Sequence, residues 1–120
     1  MKITTVKKWD AHGYTCEIVR MEYGTKFRSY LGDGHWCGYV YPPHGHPWHG
    51  ADRTSDVFDD IEVMGGVGSS GWSHGPGGRK WRVGFDTASF NARDWTLDQV
   101  VDETERLALQ AAGAAAAEVM

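Results

Sequence analysis

From Thr96 onward the chain carries one continuous apolar stripe at helical spacing, and no earlier segment does. Leu97, Val100, Val101, Thr104, Leu107, Ala108 and Ala111 recur at three- and four-residue intervals. Thr96 with Gln99 three positions later is a capping-box pair, which predicts that a helix opens there. Asp98, Asp102, Glu103, Glu105 and Arg106 fall on the opposite face and read as a solvated surface. Ala111 to Met120 is mostly alanine and either extends that helix or frays. The expected organisation is a single α+β domain over residues 1–112, followed by an Ala-rich tail over 113–120.

Upstream of the stripe the pattern is short alternating runs broken by glycine and proline. Residues 3–9 read as a strand. Residues 14–23 read as its hairpin partner across the four-residue connection Asp10-Ala11-His12-Gly13. In the second strand Tyr14, Cys16 and Ile18 share one face, and Thr15, Glu17 and Val19 the other. Residues 36–41 read as a third strand closed by Pro42 and Pro43, and 42–56 as a long loop without periodicity. A fourth short strand is expected over 61–64, and residues 65–78, with seven glycines, as a connection. Lys80 to Phe85 alternates cleanly, placing Trp81, Val83 and Phe85 opposite Lys80 and Arg82. Together these elements predict an α+β fold: an antiparallel sheet of about five strands with one C-terminal amphipathic helix packed on it.

The formal charge of −4 argues against a partner that is a long nucleic acid, because backbone binders carry a basic excess. The charge is uneven: +3 over residues 1–30, −5 over 31–71, +2 over 72–95 and −4 over 96–120. Basic clusters inside an acidic chain suit a small anionic ligand. No apolar run reaches membrane-spanning length, and the charged N-terminus lacks the apolar stretch of a signal peptide. A cytoplasmic location without membrane partners is therefore expected, and Cys16 and Cys37 are expected to be reduced thiols. A homo-oligomer is left open.

The candidate ligand chemistry centres on Gly65, Gly66, Ser69 and Ser70, a glycine- and serine-rich loop entered from a strand. Such loops bring backbone N–H groups and hydroxyls close to phosphate. The segment lacks the GxxxxGK[ST] pattern and opens no helix, and a plain hairpin connection is its alternative. Arg79, Lys80 and Arg82 supply countercharge, or else form a solvated basic strand face. Tyr39, Tyr41, Trp48, Trp72 and Trp81 offer stacking faces for a base, although most of them belong in a core. Asp86 either accepts hydrogen bonds from a ribose or base, or caps a turn that includes Ser89 or Asn91. His35 and His46 complete the candidate ligand set.

His44, His46 and His49 share one loop as His-x-His-x-x-His, but without a paired CxxC or a helical HExxH they match no standard zinc spacing. No metal and no cofactor is expected. No Gly-x-Ser-x-Gly elbow is present, so no catalytic residue is assigned.

Four motifs in order carry a resemblance: Gly34-His35-Trp36-Cys37-Gly38-Tyr39-Val40, Gly45-His46-Pro47, the pair Gly65-Gly66, and Gly84-Phe85-Asp86. They resemble a family of small phage-encoded proteins with GHxCGYV, GHP, HGGLTYS and GFDCAH patterns and an acidic closing helix. The resemblance spans roughly residues 12–110. It implies a phage setting, hence the cytoplasm of a bacterial host, and no activity by itself. The chain departs from the pattern at Met64, where the family has His, and at Thr87 and Ser89, where it has Cys and His. A catalytic or metal centre built on those positions would lack three members.

The reading that best joins these features is a non-catalytic binding module. It would sequester a small anionic host signal of nucleotide type, such as a cyclic nucleotide or an ADP-ribose-type molecule, and so counter bacterial defence. The alternatives are a metal-dependent hydrolase built on the His-rich loop and an inhibitor that binds a host protein.

Overall fold

Two residues, His12 at φ +55° and Gly13 at φ +89°, turn the chain between its first two strands. Consecutive positive φ values match the right-handed twist of the flanking strands, so the connection is tighter than the expected four residues. The structure, a computed structural model, describes residues 2–24, 33–75, 77–88, 92 and 94–118. Strand β1 spans Lys2–Ala11, β2 Tyr14–Glu22, β3 Gly34–Tyr41, β4 Ser69–Gly75 and β5 Gly78–Asp86, and helix α1 spans Leu97–Glu118. The strands form one antiparallel sheet in the order β1-β2-β3-β5-β4, with α1 packed across β3, β2 and β1. The α+β reading is the observed fold.

The helix opens as its capping box requires. The Thr96 amide donates to Gln99 Oε1 at 2.8 Å, and the Gln99 amide donates to Thr96 Oγ1 at 3.3 Å. Val100, Thr104, Leu107, Ala108 and Ala111 are buried against Cys16, Ile18, Val40, Val83 and Phe85 of the sheet. At Gly38 helix and sheet meet so closely that a Cβ would lie 2.3 Å from Thr104 Oγ1 and 2.5 Å from the Phe85 ring. The alanine-rich segment is helical through Glu118, so the domain's last element runs past residue 112. No described helix is long and apolar enough to cross a membrane.

Three expectations are corrected. Residues 61–64 are not a strand, because side chains of α1 take their backbone groups. Gln110 accepts from the Glu62 amide and donates to the Glu62 carbonyl, both at 2.7 Å, and Glu103 accepts from the Met64 amide at 2.7 Å. The fourth strand lies instead inside the glycine-rich segment, where Ser69–Gly75 pairs with β5 and Trp72 faces Trp81 across the pair. Glu103 and Glu105 are likewise not merely solvated, since Glu105 accepts from Trp9 Nε1 at 2.9 Å. Cys16 and Cys37 are both free and buried, and they point to opposite faces of the sheet.

Candidate functional site

The face of the sheet away from α1 is shaped by one extra residue in β1. Thr5 pairs with Val19 and Lys7 with Ile18, so Val6 is a bulge with no partner in β2. An unbroken strand would put Thr5 and Lys8 on opposite faces. The bulge resets the alternation, and both now flank Glu17, which is paired with Lys8. It also turns Trp9 towards the helix, where its indole meets Glu105.

Glu17 is buried and surrounded by donors. Thr5 Oγ1 donates to its Oε2 at 2.7 Å, the Tyr41 hydroxyl donates to Oε1, and Arg82 Nη1 approaches Oε1 at 3.3 Å. Burial alone would raise this carboxyl. The Tyr41 and Thr5 hydrogen bonds, with the charges of Arg82 and Lys8, outweigh it and hold Glu17 below the ordinary glutamate value. The Arg82 guanidinium stacks 3.8 Å from the centre of the Tyr39 ring. Gly84 makes room for that ring, because a Cβ there would fall 2.4 Å from Tyr39 Cδ1. Beneath it Val19, Cys37 and Tyr39 form a small buried cluster, in which burial pushes the Cys37 thiol up to about 11 and the Tyr39 hydroxyl up to about 12.

Above this layer lies a cleft of about 320 Å³ whose polar wall includes Thr5, Lys8, Tyr41, Ser73, Lys80 and Arg82. Lys8, Lys80 and Arg82 face a single carboxylate, Glu17, which leaves a surplus of two positive charges. Among the described residues Lys80 is in no ion pair.

A second cleft of about 280 Å³ opens where β3 and β5 part company. Their pairing stops at Val40–Val83, while β5 extends back to Gly78 against β4 alone. The gap is walled by Trp72 and Trp81, whose rings stand 5.1 Å apart at 89°, and by His49, 5.6 Å from the Trp72 ring. Arg79 lies over Trp72 at 4.4 Å.

Of the residues singled out from sequence, Tyr39, Ser69 and Arg82 come together on the helix-free face, since Ser69 and Tyr39 both pair with Gly84. His35 lies at the start of β3 on that face, with its Nδ1 hydrogen-bonded to the Tyr23 hydroxyl. Burial lowers its pKa, opposed by Asp86 and reinforced by Arg20. Asp86 Oδ1 accepts from the Ala88 amide at 2.9 Å, a local turn cap; Ser89 and Asn91 lie outside the described residues. Ser70 and Trp81 point to the helix side, and both Ser70 Oγ and Trp81 Nε1 are buried without a hydrogen-bond partner among the described residues.

Gly65 and Gly66 do not join them. Their φ values of +71° and +79° show that the turn needs glycine for its backbone conformation, and no atom lies within 4 Å of a Cβ at either position. The turn sits against α1, where the charge at the preceding amide is the Glu103 carboxylate and not a cation. His46 is buried under the helix, its Nδ1 accepting from the Trp48 amide at 2.9 Å. Its loop neighbours turn elsewhere, with His49 Nδ1 3.0 Å from the Pro42 carbonyl. Among the described residues no three His, Cys, Asp or Glu side chains converge as metal ligands. Thr87, at a position where the motif pattern differs, ties β5 to β3 by accepting from the Trp36 amide at 2.9 Å.

Sequence reading missed Thr5, Lys8 and Glu17 as members of the cleft, because the bulge that gathers them carries no glycine or proline to mark it. Compared with known proteins, the chain matches no family model, no curated protein and no solved structure.

Proposed function

We propose that the protein binds a small phosphate-bearing anion in the cleft on the helix-free face. The observation that carries this reading is the convergence of Lys8, Lys80 and Arg82, with the Ser73 hydroxyl, beside one carboxylate that already has Thr5 and Tyr41 as its donors. Charge-assisted contacts from lysine and arginine are the strongest that a protein surface offers to phosphate. At about 320 Å³ the cleft has the size of a small-molecule site. The countercharge expected from Lys80 and Arg82 is retained, while the glycine turn is replaced as its partner by Lys8 and Ser73. The resemblance to phage-encoded proteins supports a role in which the ligand is a host signal held away from its target, a counter to bacterial defence by sequestration.

The test is calorimetric titration of the parent, Lys8→Ala and Lys80→Ala with pyrophosphate and ribose 5-phosphate. Each lysine removed should weaken binding about tenfold or more, a loss of about 1.5–3 kcal/mol. Added salt should weaken binding to the parent. Failure of both anions to bind, or affinities untouched by either substitution, would overturn the proposal.

A further inference from the structure

Resting on that anion-binding reading, we infer that the second cleft takes the aromatic base of the same ligand, so that the ligand class is a nucleotide. The two clefts are neighbours: Tyr41 and Lys80 line both. A phosphate held by Lys8, Lys80 and Arg82 therefore has its organic portion directed either to solvent or into the gap between β3 and β5. The walls of that gap are aromatic and cationic, which is the combination that stacks a base.

Trp72 is 41% exposed, whereas Trp48 in the core is 0% exposed. A tryptophan is a large apolar surface to leave in water, and this one is held in place. Trp81 stands perpendicular to it and His49 meets it at 77°, which fixes the ring on an edge strand. Arg79, stacked at 4.4 Å, extends the platform with a second planar, cationic surface. Trp81 backs that platform with a half-buried indole that also lines the gap. A bare phosphate or a sugar phosphate uses none of these features.

The experiment compares ligands that differ only in the base. Ribose 5-phosphate and the four nucleoside 5′-monophosphates are titrated calorimetrically into the parent, Trp72→Ala, Trp72→Phe and Lys80→Ala, each checked for a native thermal transition. At least one nucleotide should bind the parent about tenfold more tightly than ribose 5-phosphate, the range a single base–aromatic stack supplies. Trp72→Ala should abolish that preference and leave ribose 5-phosphate binding unchanged, and Trp72→Phe should restore most of it. Lys80→Ala should weaken both ligand types equally. Equal affinity for ribose 5-phosphate and every nucleotide, or a preference that survives Trp72→Ala, would overturn the base site and leave the anion cleft standing. So would a change of oligomeric state as the only effect of Trp72→Ala, which would make the patch a contact between chains. If neither ligand type binds the parent, the anion-binding reading falls and this inference falls with it.

Discussion

His46 donates from Nε2 to the carbonyl of Ala111 at 2.8 Å, joining the loop after β3 to the distal half of the helix. Because its Nδ1 accepts from the Trp48 amide, the ring is a neutral tautomer with both nitrogens occupied. The Tyr14 hydroxyl donates to the same Ala111 carbonyl at 3.3 Å. His46→Ala leaves the buried Trp48 amide without an acceptor and should cost about 1–3 kcal/mol. Urea denaturation should show the loss, and affinity for ribose 5-phosphate should be unchanged. Weakened binding at full stability would restore His46 to the ligand site.

Gly66 separates a conformational requirement from a binding one. Its φ of +79° is a region that a β-branched residue enters at a cost of about 1–2 kcal/mol. Gly66→Val should lower the thermal midpoint and leave anion affinity as it is, because space around a Cβ at that position is open. Loss of binding without loss of stability would return the phosphate to the glycine turn.

Gly84 is required for a different reason, since a Cβ there would meet the Gly38 carbonyl oxygen at 2.4 Å as well as the Tyr39 ring. Gly84→Ala must displace either the β3–β5 pairing or the ring on which Arg82 rests. Overpacking of this kind costs about 1–3 kcal/mol. The thermal midpoint should fall and ribose 5-phosphate affinity should fall with it, because Arg82 loses its support. An unaltered midpoint would show that the two strands are not packed as described.

Glu17 gives the stability a pH dependence of known sign. Its folded-state pKa is lowered, so the group contributes stability above its ordinary value of 4.5, lost as the pH falls through the lower folded value. Glu17→Gln removes that contribution. Urea midpoints near neutral pH should therefore favour the parent, and the gap should narrow as the pH falls below 4.5. A gap that stays constant across that range would mean that Glu17 is not held as a carboxylate.

The helix was the most legible element, because Thr96 and Gln99 cap it reciprocally and its stripe from Val100 to Ala111 is the face that packs. The alternation of Trp81, Val83 and Phe85 against Lys80 and Arg82 was equally direct. What stayed hidden depends on partners distant in sequence. Residues 61–64 have strand-like composition, yet Gln110 and Glu103 take their hydrogen bonds. Ser69–Gly75 has low strand propensity, yet β5 supplies it with a full ladder. In the site, Tyr39 and Arg82 could be named from their residue types, but Thr5, Lys8 and Glu17 meet only through the Val6 bulge.

That bulge lets β1 carry one residue more than its ladder with β2 uses. Thr5 and Lys7 pair with the consecutive residues Val19 and Ile18, so deleting Val6 would leave the remaining pairings of the strand in place. Drawing Val6 into the ladder would not: either Trp9 keeps its place against Glu105 and Thr5 is carried to the far side of the sheet from Glu17, or Thr5 stays and Trp9 is expelled into water. The cleft and the helix that backs the sheet stay coupled only while position 6 is left out of the pairing.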